Sequence, residues 1–145
     1  MRRTIFIFLA SLATTAHGQN LFPVKLDNCK TDRFCLDCGD TKAGFAQQDF
    51  SELLDKLNKE LNVEGIKGVV KFQVLVDKKG RACVLSHTDQ SNNPITLKII
   101  DELNRFKKWT PAITGGKEED KSSINLSFSI ADNKISGQIE LASLR

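Results

Sequence analysis

Cys35 and Cys38 stand two residues apart in "CLDC", and Cys29 and Cys83 complete a set of four cysteines. A Cys-x-x-Cys pair exchanges disulfides when a helix N-terminus depresses the pKa of its leading thiol. Here the motif sits in a polar stretch followed by Gly39 and Asp40, with no strand before it and no helix opening at it. The expected chemistry is therefore structural: an even set of cysteines in an exported chain forms disulfides. Four cysteines permit three pairings, each with one bridge within the leader and another tying it to Cys83. Thiol–disulfide exchange at Cys35 and Cys38 is the alternative, and a metal site built from cysteines with Cys29 and His87 is a third reading.

His87 is the only histidine apart from His17, so a Ser-His-Asp triad would have to be built on it. It falls in a strand pattern, and no Gly-x-Ser-x-Gly elbow accompanies it. The charged run from Lys117 to Lys121 lacks the oxygen-ligand spacing of a calcium loop and reads as a solvated loop. The segment "TGGK" lacks the Walker pattern. These residues point to a non-enzymatic protein with no cofactor and no metal.

The single tryptophan, Trp109, follows a helical pattern and precedes Pro111, which cannot continue that helix. The expected role is structural, with the indole filling the gap between helix end and hairpin while Pro111 turns the chain toward the last strands.

Residues 19–48 show no sustained period and read as a loop-rich, cross-linked leader. "DFSE" then suggests a capping box with Asp49 as N-cap, and Phe50, Leu53, Leu54, Leu57 and Leu61 share one face of a helix over residues 49–62. The period changes to two at Val70, Phe72, Val74 and Val76, and "DKKG" turns the chain into a returning strand from Arg81 to Thr88. Asn93 and Pro94 supply the N-cap and first position of a second helix striped by Ile95, Ile99, Leu103 and Phe106. Ile124, Leu126, Phe128 and Ile130 alternate with polar residues as a half-buried strand, and "ADNK" leads to a weaker strand through Ile135, Ile139 and Leu141. The order implies an α+β fold: a two-layer sandwich of two helices packed on a small antiparallel sheet of three to four strands.

Arg2 and Arg3 precede a short apolar run that ends at "AHG", the pattern of a cleaved signal peptide over residues 1–18. The run is about half of the roughly 20 residues that a spanning helix needs, so no stable membrane span is expected after cleavage. Loss of Arg2 and Arg3 lowers the formal charge from +3 to +1. That balance offers nothing to nucleic acid. The expected organisation is a signal peptide (1–18), a cysteine-containing leader (19–48) and one domain (49–145), in a secreted protein.

The segment "GIKGVVKFQVLVDKKGRACVL", followed by a helix and "FKKWTPAITGGK", resembles the C-terminal domain of the TonB family, over roughly residues 49 to 131. Those domains combine a Gly-x-Val hairpin ending in Gly-Arg with a basic-Trp-x-Pro motif. The resemblance implies a periplasmic module that binds a protein partner, an outer-membrane receptor segment, by strand addition. It places the partner-binding edge on Ile124, Leu126, Phe128 and Ile130, or on Ile135 and Ile139 if that last strand is the exposed edge. The chain departs from the full energy transducer in lacking a Pro-rich spacer and the family's Tyr-Pro before the first strand, and in the spacing of Ser11 and His17.

Overall fold

The structure is a computed structural model that describes residues 21–140. The expected signal peptide and the end of the last strand at Leu141 lie outside the described residues. Two helices and ten strands follow in chain order: β1 (Val24–Lys25), β2 (Cys35–Leu36), β3 (Gly44–Phe45), α1 (Gln47–Glu60), β4 (Gly68–Asp77), β5 (Ala82–His87), α2 (Pro94–Arg105), β6 (Trp109–Thr110), β7 (Ile113–Thr114), β8 (Lys117–Glu118), β9 (Lys121–Ala131) and β10 (Lys134–Glu140).

The expected sandwich with a small antiparallel sheet is not what forms. The described residues are strand-rich, at 39% strand, and the main sheet is a large, curled, mixed half-barrel. Its strands run in the order β1-β5-β4-β9-β10, and β2 joins β9 in parallel. The leader makes the difference, because two of its segments enter the sheet. Strands of two residues carry no readable period. A bulge between Gln73 and Val74 in the β4–β5 ladder adds local twist to the curl.

The helices occupy one face of this sheet, α1 over β10 and α2 over β5. Val70, Phe72, Val74 and Val76 of β4 meet Phe50, Leu53 and Leu57 of α1 and Ile99 and Leu103 of α2 in one core. Full burial of a side chain such as Phe72 contributes about 1.5 to 3 kcal/mol. Two of the alternate residues of β4 are covered as well. Gln73 and Leu75 are buried on the opposite face, where the leader crosses. There the Leu21 amide donates to Gln73 Oε1 at 2.9 Å and the Phe22 amide to Ser86 Oγ at 3.3 Å.

Local chemistry sets most boundaries. Asn93 accepts from the Ile95 amide at 2.9 Å and Pro94 opens α2. Asp77 accepts from the amides of Lys79 and Arg81, which closes the β4–β5 turn. Asp132 and Asn133, both at positive φ, make the two-residue β9–β10 turn. The capping box at Asp49 does not form. Helix α1 starts two residues earlier, behind Ala46 and with no side-chain cap, which puts Asp49 inside the first turn, where its carboxylate pairs with Lys108 at 2.7 Å.

Candidate functional site

Strand β9 cannot receive a partner. It pairs with β4 along Lys121–Ile130 on one side, and with β10 along Asn125–Ala131 and β2 at Ser122–Ser123 on the other. Ile124, Leu126, Phe128 and Ile130 are buried beneath the helices. Alternation reports that one face of a strand is buried and is silent on the strand's position in the sheet, which is why these residues seemed available.

Among the described residues, strand β10 is the outermost strand at that end of the sheet. Its seven residues pair with β9 without a break, a stronger element than its sequence suggests. Gly137 removes the Cβ that would stand 3.0 Å from the Phe50 ring, so the position that weakens the pattern is the one that lets α1 approach. Ile135 is buried and Ile139 half-buried. Main-chain groups alternate sides along a strand, so those of Ile135, Gly137 and Ile139 point away from β9. The first of these rungs is already occupied. Asn58 of α1 accepts from the Ile135 amide at 2.7 Å and donates to the Ile135 carbonyl at 2.8 Å. Gly137 and Ile139 have no main-chain partner on that side among the described residues.

Asn58 has no counterpart in the sequence expectations. Its signal was an amide four residues after Leu54, beside an otherwise apolar stripe.

The cysteines form two pairs. Cys29 bonds to Cys83 of β5, with Cα atoms 5.8 Å apart, and Cys35 to Cys38, at 5.6 Å. Cys35 begins a strand and not a helix, so no helix dipole acts on its thiol. With all four sulfurs engaged, none is left to join His87 around a metal, and the described residues contain no cluster of His, Cys, Asp or Glu that could hold one.

His87 faces the core beside Phe72, and its Nδ1 has no partner among the described residues. Burial pushes its pKa down, against the opposing charge of Asp89. Asp89 itself is held at about 2 by hydrogen bonds from Ser91 and Thr96. It also accepts from the Asn93 amide, so it organises the loop before α2. A cleft of about 450 Å³ adjoins it, lined by Lys67, Val69, Thr88 and Gln90 among others.

Trp109 is buried, its Nε1 donating to the Leu103 carbonyl at 3.4 Å. Its ring packs edge-on against Phe45 and Phe106, and its own carbonyl lies against Gly80 of the hairpin turn. The indole thus joins the helix end to the leader, and the Trp109 backbone meets the hairpin. Pro111 then leads into β7. The run from Lys117 to Lys121 contains β8 and the first residue of β9 and is not a free loop; Lys78 pairs with Asp120, and Lys121 with Asp32.

The chain matches no protein-family model, no curated protein and no solved structure. No helix among the described residues is long and apolar enough to cross a membrane.

Proposed function

We propose that the chain is an exported, non-enzymatic binding module that takes an extended segment of a protein partner along the outer edge of β10. The observation that carries this reading is the pair of rungs at Gly137 and Ile139 that have no partner among the described residues. An incoming strand would gain main-chain hydrogen bonds there. Its alternate side chains would lie beside Ile139 and Leu54 on the helical face and beside Ser136 and Gln138 on the other. The resemblance to TonB C-terminal domains supports the same mode and suggests a receptor segment in the periplasm as the partner. The leader supports it indirectly, because β1 covers the edge of β5 and β2 covers the part of β9 that β10 does not reach.

The test is a photo-crosslinking side chain at Ser136, introduced in the full chain expressed in its native cells. Ile139→Pro is the control, since it deletes an outward-facing donor without touching the ladder to β9. A cross-linked envelope protein that disappears with Ile139→Pro, while the circular dichroism spectrum stays unchanged, is the expected result. Absence of any cross-link, or one that persists in the proline variant, overturns the reading.

A further inference from the structure

The same edge that could receive a partner could also pair with a second copy of the chain. Antiparallel pairing of two β10 strands about a two-fold axis at Gly137 sets Gly137 against Gly137 and Ile135 of each copy against Ile139 of the other. It also sets Lys134 of each copy against Glu140 of the other, so the charges favour this register. All three rungs use the outward main-chain groups of Ile135, Gly137 and Ile139.

Asn58 stands in the way. Its amide satisfies both the N–H and the C=O of Ile135, at 2.7 and 2.8 Å, and so takes the place of a neighbouring strand. The same side chain donates to the Leu54 carbonyl at 2.9 Å, which fixes it to its own helix. Because each Ile135 would serve the Ile139 of the other copy, one occupied residue per chain removes two of the three rungs. Only the central Gly137 rung is left.

We infer that Asn58 is a strand stop: its side-chain amide keeps β10 from pairing with a second copy while leaving Gly137 and Ile139 open to a different strand. The inference shares its open edge with the proposed function, and its test reads self-association alone.

The experiment is sedimentation equilibrium of the full chain and of Asn58→Ala. The wild type is expected to be monomeric. The variant is expected to self-associate about thirtyfold more tightly, the gain from four added hydrogen bonds at the low end of their net value. Asn58→Asp places a charged group at the edge and is expected to stay monomeric, as edge charges block pairing. Asn58→Ala combined with Ile139→Pro is expected to return to monomer. A wild type that already dimerises through β10, a monomeric Asn58→Ala, or a dimer that survives Ile139→Pro overturns the inference. If Asn58→Ala fails to fold, Asn58→Ser, whose hydroxyl is too short to satisfy both Ile135 groups, is read in its place. The cross-link at Ser136 is measured separately, so loss of one result leaves the other standing.

Discussion

Cys29 in the leader is bonded to Cys83 on β5, across a sequence separation of 54 residues, whereas Cys35 and Cys38 close a loop of only three. The first bond ties the leader to the sheet over which it lies. The second shapes the leader locally, where β2 runs beside Ser122 and Ser123. On loop-closure entropy the long bridge contributes about 4 kcal/mol and the short one about 2. Urea unfolding should therefore show a much larger loss of stability for the Cys29→Ser, Cys83→Ser pair than for the Cys35→Ser, Cys38→Ser pair. Equal losses would mean that the leader is held by something other than the Cys29 bridge.

Trp109 and Gly80 meet across the gap between α2 and the hairpin. A Cβ on Gly80 would stand 2.6 Å from the Trp109 carbonyl oxygen, and Gly80 has a φ of 69°. Backbone cannot yield as a flexible side chain does, so Gly80→Ala should be clearly destabilising despite adding one methyl group. Trp109→Ala should cost more, about 3 to 5 kcal/mol, because it empties the space shared by Phe45 and Phe106. Chemical denaturation orders the two; a neutral Gly80→Ala would show that the hairpin turn moves freely against Trp109.

Much of this arrangement is legible in the residues. Asn93 and Pro94 mark the start of α2, the alternation from Val70 to Val76 marks β4, and Ile124 to Ile130 marks β9, because in each case a local rule and the core agree. The readings fail where a long-range partner decides. Asp49 could cap α1, but the helix begins before it and its carboxylate meets Lys108, a residue 59 positions away. The leader carries no period, because its strands are two residues long and exist only by pairing with β5, β9 and β6. Which strand is outermost depends on sheet order, to which the alternation of a single strand is blind.

His87 gives the stability a pH dependence. Burial holds its pKa below the ordinary 6.5 in the folded state, with Asp89 opposing only in part. The unfolded chain therefore binds more protons than the folded one below about pH 6.5, so stability is complete above that value and falls as pH drops through the depressed one. Urea midpoints should be lower at about pH 5 than at about pH 7.5, and His87→Gln should shrink the difference. If the difference survives in His87→Gln, the titrating group lies elsewhere.

Gly137 connects the packing of the core to the chemistry of the edge. Helix α1 lies close over β10 because Gly137 presents no side chain to Phe50, Phe128 and Leu54, whose atoms would stand 3.0, 3.2 and 3.3 Å from an added Cβ. That closeness is what lets Asn58, one turn beyond Leu54, reach the Ile135 main chain. Gly137→Val should force α1 outward and cost about 1 to 3 kcal/mol through overpacking. The same displacement should pull the Asn58 amide away from Ile135, so the Ile135 amide should exchange with solvent faster than in the wild type, while the Phe72 amide on β4 keeps its protection. If Ile135 exchange does not change although stability falls, the Asn58 contact is independent of how closely α1 approaches, and the cap is held by the Leu54 carbonyl alone.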